Sequence, residues 1–264
     1  MSFFRVENLT AGYGGKNVLE NVSFTLEKGT VTGIIAPNGH GKTTLLKAVC
    51  GIIPHRGSCT LEGEALEGLS PRRLAKLCGY IPQRSGISID ISALDVVLMG
   101  FNAHLKLLEY PSAEMKEAAR EALRKAGLEG KEEMNFLHLS EGQKQLCILA
   151  RTLVSPGKLL LLDEPESALD FRLRHKMLDI LREWSRETGG SVFVSLHDPA
   201  LALNYCDKLF LMDGGKIFGC IEPQKDPIEK MEQLLCRVYG SISLHRCVRR
   251  DGKTSLVMLK EDEP

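Results

Sequence analysis

The stretch Val31-Thr32-Gly33-Ile34-Ile35 reads as a short buried strand, and it runs without a break into Ala36-Pro37-Asn38-Gly39-His40-Gly41-Lys42-Thr43. A helical pattern from Thr44 to Cys50 follows. A strand that turns through glycines into a helix leaves backbone N–H groups pointing out of the helix start, where they can hold phosphate oxygens. Gly39 and Gly41 give the turn its freedom, Lys42 supplies a cation for the outer phosphates, and Thr43 offers a hydroxyl to Mg²⁺. Asn38, His40 and Thr44 complete the candidate set for nucleotide contact. The first position of the loop is Ala36, where glycine is usual; its β-methyl fits only if φ there is negative, which is the expectation.

A second element narrows the chemistry. Leu159-Leu160-Leu161-Leu162-Asp163-Glu164 is an apolar run closed by two acids. Leucines in series suit a strand buried on both faces, and acids at its end belong in a crevice rather than a core. Asp163 would hold a Mg²⁺ shell and Glu164 would orient and polarise an attacking water; read alone, the same pair is an acidic strand exit. Between the two elements lies Leu139-Ser140-Glu141-Gly142-Gln143, opening a strong helix from Lys144 to Leu153. Ser140 with Gln143 matches a capping box, and a capped helix start is also an anion site, so both readings stand together.

The chain has 264 residues, enough for one large domain with subdomains. Its 34 Lys and Arg equal its 34 Asp and Glu, so no overall basic field attracts nucleic acid or anionic lipid. No apolar run approaches roughly 18 residues, which argues against a membrane span. The opening Met1-Ser2-Phe3-Phe4-Arg5-Val6-Glu7 reads as a first strand rather than a signal peptide. Eight scattered cysteines without CxxC pairs suit a reduced, cytosolic chain.

Residues 3–35 alternate with period two and suggest an antiparallel sheet, with another hairpin around Arg56 to Gly63. A helix is expected from Pro71 to Leu77 and a strand at Gly79 to Ile81. Residues from about 85 to 152 read as a helical insert; within it Ser112 caps a helix with an apolar stripe at Met115, Ala118-Ala119, Ala122-Leu123 and Ala126. Beyond 157, strands at 158–162, 191–196 and 208–212 alternate with helices at 171–187 and 199–205, the pattern of a parallel sheet. After Ile221 the sequence suggests a Pro-bounded helix and two short strands, Ser241 to Val248 and Thr254 to Leu259. Cys236, His245 and Cys247 fit no regular metal spacing, Glu166 reads as a solvated acid beside Glu164, and Arg246, Arg249 and Arg250 read as a polar strand face.

From Phe3 to about Pro223 these motifs resemble the nucleotide-binding subunit of ABC transporters. Ser140 to Gln143 resembles the LSGGQ signature with Glu141 in place of a glycine, and Ser167-Ala168-Leu169-Asp170 resembles the D-loop. Tyr80-Ile81-Pro82-Gln83 resembles the Q-loop, Ser195-Leu196-His197-Asp198 the switch-histidine segment, and Tyr13 the aromatic that stacks on adenine. The resemblance implies an α/β fold: a P-loop ATPase with a RecA-like parallel-sheet core, an antiparallel β subdomain and a helical subdomain. Its domain is expected over 1–223, with the helical subdomain at about 85–152 and a C-terminal extension over 224–264.

It further implies ATP and Mg²⁺ as ligands and a sandwich of two copies. ATP on the Lys42 loop of one copy would meet Ser140, Gly142 and Gln143 of the other, with Asp170 nearby. Glu164, His197 and Gln83 would be catalytic, and Thr43, Gln83 and Asp163 would serve the metal. Glu141 would repel a triphosphate unless its carboxylate points outward.

Ser70-Pro71-Arg72-Arg73-Leu74-Ala75-Lys76, Asp95-Val96-Val97-Leu98-Met99-Gly100 and Val238-Tyr239-Gly240 resemble the branch importing ferric siderophores, haem or cobalamin. That branch implies transmembrane permease partners docked on residues about 84–110, a substrate-binding protein behind them, and a peripheral location on the cytoplasmic face of the cell membrane. An exporter ATPase would carry the same motifs. A non-hydrolysing regulator is the reading from another class, whereas ribosome-acting and DNA-repair relatives would need tandem cassettes or a long coiled coil.

Overall fold

Leucine after leucine in one strand makes sense when each face of the sheet has its own core. The computed structural model, which describes residues 3–83, 86–106, 108–155 and 157–262, shows that arrangement. In chain order the elements are β1 (Phe4–Tyr13), β2 (Lys16–Leu26), β3 (Val31–Ile35), α1 (Lys42–Val49), β4 (His55–Leu61), β5 (Glu64–Ala65), α2 (Pro71–Leu77) and β6 (Cys78–Ile81). Next come α3 (Ala93–Leu98), α4 (Ala113–Ala126), α5 (Glu141–Leu153), β7 (Leu159–Asp163), α6 (Phe171–Thr188), β8 (Ser191–Ser195) and α7 (Pro199–Tyr205). The chain finishes with β9 (Lys208–Asp213), β10 (Lys216–Ile221), α8 (Ile228–Tyr239), β11 (Ile242–Val248) and β12 (Thr254–Lys260).

Six strands form the central sheet in the order β10-β9-β3-β8-β7-β6. All its pairings are parallel except the β9–β10 hairpin at one edge. All five residues of β7 are buried, and they divide by parity. Leu160 and Leu162 enter a core shared with α3 to α6, while Leu159 and Leu161 enter one shared with α1 and the antiparallel sheet. Val192 and Val194 against Phe193 on β8 repeat the division. Each such side chain contributes about 1.5–3 kcal/mol by leaving water.

The second core is roofed by the four-stranded sheet β2-β1-β4-β5. Phe24 of that sheet lies 5.1 Å from the Phe193 ring and 5.3 Å from Phe210, tying the two sheets together. The expectation of one antiparallel sheet over residues 3–35 holds for β1 and β2, but β3 belongs to the parallel sheet. Its five residues are all buried, which a one-sided strand would not allow.

In the helical region Ser112 accepts from Met115 N and caps α4. The buried stripe is Ala119, Ala122, Leu123 and Ala126; Ala118 is exposed, one position off that face. Part of the anticipated permease-docking stretch, at Arg84, Ser85 and Leu107, lies outside the described residues. Hairpin β11–β12 folds back onto α7, where Asn204 donates to Leu256 O at 2.8 Å and accepts from Leu256 N at 2.9 Å. Ile242, Leu244 and Leu256 thereby join the helix-side core. Among the described residues no helix is long and apolar enough to cross a membrane.

Candidate active site

Parallel strands deliver their ends to a common edge, and the candidate residues collect there. β3 leads into the loop Ala36 to Gly41, and α1 starts at Lys42 with Gly41 as its N-cap at φ 101°. A side chain at Gly41 would be strained and would press on Leu19 Cδ2 at 2.9 Å. Ala36 is absent from the residues with positive φ, so the methyl is accommodated as expected. Asn38 and Gly39 at the loop apex are exposed, Thr43 is half-buried and Thr44 is buried. His40 Nδ1 sits 2.8 Å from Asp213 Oδ1 at the end of β9, which fastens the loop to the neighbouring strand.

Lys42 is buried, and its Nζ donates to Ala36 O at 2.9 Å and lies 3.3 Å from Glu164 Oε1. Glu164 in turn accepts from Gln83 Nε2 at 3.0 Å. A cation from the loop, an acid from the end of β7 and an amide from the end of β6 thus meet in one array. Glu164 adopts φ 45°, a left-handed conformation that costs a non-glycine residue of order 1–3 kcal/mol. Two hydrogen bonds hold it there: its N–H reaches Ser195 O at 3.2 Å and Ser195 Oγ at 2.9 Å. The Ser195 hydroxyl donates to Asp163 Oδ1 at 3.0 Å, so one serine on β8 organises both acids.

Glu166 overturns its reading as a solvated acid. It is 1% exposed, and its Oε1 accepts from His197 N at 2.7 Å, joining the turn after β7 to the segment after β8. Among the described residues its other oxygen has no hydrogen-bond partner. Burial, helped by the nearby Glu164 charge, pushes this carboxyl above its ordinary range. The sequence offered no periodicity to reveal it, because the residue lies in a turn. His197 itself is exposed.

The signature residues stand apart from this array. Ser140 caps α5, accepting from Gln143 N at 3.3 Å while Gln143 Oε1 accepts from Ser140 N at 3.0 Å. Ser140 and Glu141 are exposed, and Glu141 pairs with Lys144 Nζ at 2.8 Å within the first turn. Among the described residues no recorded hydrogen bond or ion pair links Ser140–Gln143 to the Lys42 loop. A methyl on Gly142 would approach Leu173 Cδ1 at 3.1 Å, so α5 begins close against α6. Asp170 accepts from Leu173 N at 2.8 Å and caps α6. Gln83, Glu141, Lys144 and Ser167 line a cleft of about 510 Å³. Tyr13, at the end of β1, is 49% exposed and free to offer a ring face.

A cation, two acids and a glutamine around a phosphate loop can bind a nucleoside triphosphate and activate water against it. Comparison with known proteins gives the same chemistry. The family model for ABC transporters matches residues 19–167. The chain is 36% identical over 215 residues to a probable iron chelatin transport ATP-binding protein of Helicobacter pylori, covering 81% of this chain and 84% of that one. It is 38% identical over 229 residues to the hemin import ATP-binding protein HmuV of Pseudomonas fluorescens, covering 84% and 87%. Its fold matches a metal-chelate type ABC transporter solved in an inward-facing conformation, with TM-score 0.81, 25% identity, and 98% and 96% of the two chains covered. Loop, acids, signature and fold together place this chain in the ABC transporter family, as an ATP-hydrolysing subunit.

Proposed function

We propose that this subunit drives import of a metal chelate, of the ferric siderophore, haem or cobalamin class, by hydrolysing ATP between two copies of itself. The observation that carries the mechanistic part is the Lys42–Glu164–Gln83 array. Glu164 orients and polarises the attacking water, Lys42 neutralises the outer phosphates, and Gln83 touches the metal or the water and reports to the permease. His197 reaches the γ-phosphate, and Tyr13 stacks on adenine. Asn38, Gly39, His40, Gly41 and Thr44 surround the phosphates.

Thr43, Asp163 and Gln83 all offer oxygen, the donor type that Mg²⁺ takes, and would hold it at the outer phosphates. When bound there, the ion spreads the negative charge that builds on the transferring group. Ser140, Gly142 and Gln143 of the second copy close the pocket, with Asp170 lining the junction. Two facts support this reading: the Ser140 helix start is exposed, and the Glu141 carboxylate is paired with Lys144. Neighbours of this fold include a dimeric cassette bound to ADP and phosphate, and another from a multi-component transporter complex. Permease subunits would hold the pair at the cytoplasmic face of the membrane, fed by a binding protein.

The cargo part rests on relatives named for iron chelatin and hemin transport. Proteoliposomes containing this chain and its permease, offered labelled ferric siderophore, haem and cobalamin, test it. Inward accumulation of one of them, lost in Glu164→Gln, is the expected result. ATP-dependent export with no uptake of any of the three would replace the importer reading.

A further inference from the structure

The antiparallel sheet brings together His55, Cys59 and Glu67, one nitrogen, one sulfur and one carboxylate ligand, none of which the proposed ATP chemistry uses. His55 opens β4, Cys59 follows four residues later, and Glu67 lies just past β5 on the returning chain. Gly57 between them has φ 94°, and β4 shifts register against β1 opposite it, so the strand is bent where the first two ligands converge.

His55 Nε2 is 3.8 Å from Cys59 Sγ and 3.4 Å from Glu67 Oε1, and the three ligand atoms lie within 4.8 Å of one another. Tetrahedral zinc, with bonds of about 2.3 Å to sulfur and about 2.0–2.2 Å to nitrogen or oxygen, sets nitrogen–sulfur and nitrogen–oxygen edges of roughly 3.5 and 3.4 Å. The two edges that meet at His55 Nε2 are therefore within a few tenths of an ångström of those values, and the sulfur–oxygen edge lies within 4.8 Å. Glu67 Oε1 also accepts from Cys59 N, which holds the carboxylate over the thiol.

We propose that His55, Cys59 and Glu67 form a binding site for a zinc-type divalent transition metal. A thiolate and an imidazole select such an ion over Mg²⁺ or Ca²⁺. One thiolate and one carboxylate balance the two positive charges, and binding releases the Cys59 proton to solvent. Glu67 is exposed and His55 half-buried, so solvent can supply a water as fourth ligand on the carboxylate side. The ion would clasp the start of β4 to the chain beyond β5.

Titration of the whole chain with Zn²⁺ against a chromophoric chelator, and with Co²⁺ by visible spectroscopy, tests the site. Both are done without nucleotide and Mg²⁺. One equivalent should bind with a thiolate-to-cobalt charge-transfer band that disappears in Cys59→Ser. Affinity should fall at least about tenfold in His55→Gln and Glu67→Gln, and Cys247→Ser, at an exposed position, should leave both readouts unchanged. Cys59 is fully buried, so the His55 and Glu67 variants decide the matter if Cys59→Ser does not fold. A wild-type chain lacking the thiolate band overturns the proposal. So does unchanged affinity in both the His55 and Glu67 variants, which would place the metal elsewhere.

Discussion

The loop around Lys42 and the helix start at Ser140 both present backbone N–H groups, yet the fold treats them oppositely. At the loop, groups from the start of α1 and the ends of three strands, with Lys42, Asp163 and Ser195 buried among them, satisfy one another across the chain: Lys42 with Glu164, Glu164 with Gln83 and Ser195, and Asp163 with Ser195. At Ser140 the hydrogen bonds are local, made with Gln143 three residues away, and the surface is open. A half-site held by long-range contacts is set by the fold itself. A helix start held by its own cap and open to solvent has the form that the proposed pairing of two copies asks for.

The largest effect should come from Glu164→Gln. Losing the water-orienting acid should lower ATP turnover about 10²–10⁴-fold while leaving ATP bound, as read by steady-state hydrolysis beside fluorescent-nucleotide binding. Ser140→Ala probes the other half. Removing the cap should cost about 1 kcal/mol of thermal stability and reduce turnover of the assembled transporter, with no change in the isolated chain's affinity for ATP. A matching fall in that affinity would put both halves in one pocket and erase the contrast.

Glu166→Gln sharpens the first half through pH. Because burial raises this carboxyl in the folded chain, its stabilising contribution is complete below the ordinary carboxylate value and is lost as pH rises through the raised value. The amide, which imitates the protonated acid, should flatten the fall of the melting temperature between mildly acidic and alkaline pH. A slope identical to wild type would mean the carboxyl titrates normally. The smallest effect is expected for Glu141→Gly. The exposed pair with Lys144 is worth at most about 1 kcal/mol, so thermal melts should shift little and turnover should stay near the parent value.

What the sequence revealed was mostly local. Pro71 to Leu77 and Pro199 to Tyr205 emerge as helices with the expected limits, because proline at the start and a capping serine or aspartate are signals carried within a few residues. The capping box of Ser140 and Gln143 was legible for the same reason. What stayed hidden depends on chain return. β10 went unanticipated even though Gly214-Gly215 joins it to β9 as a two-residue hairpin turn. Glu166 reads as one more acid until His197 arrives from 31 residues away. His55, Cys59 and Glu67 match no ligand spacing because a hairpin, rather than a helix or a knuckle, brings them together.

The two bonds between Asn204 and Leu256 carry a consequence for anyone shortening this chain. A cut after Ile221 looks harmless on a motif map, since every nucleotide-site motif precedes it. It would strip Ile242, Leu244 and Leu256 from the interior and bare the flank of the helix that starts two positions after His197. The last forty-odd residues are ballast bolted to the engine block, and a trimmed version should come out of the cell aggregated rather than merely smaller.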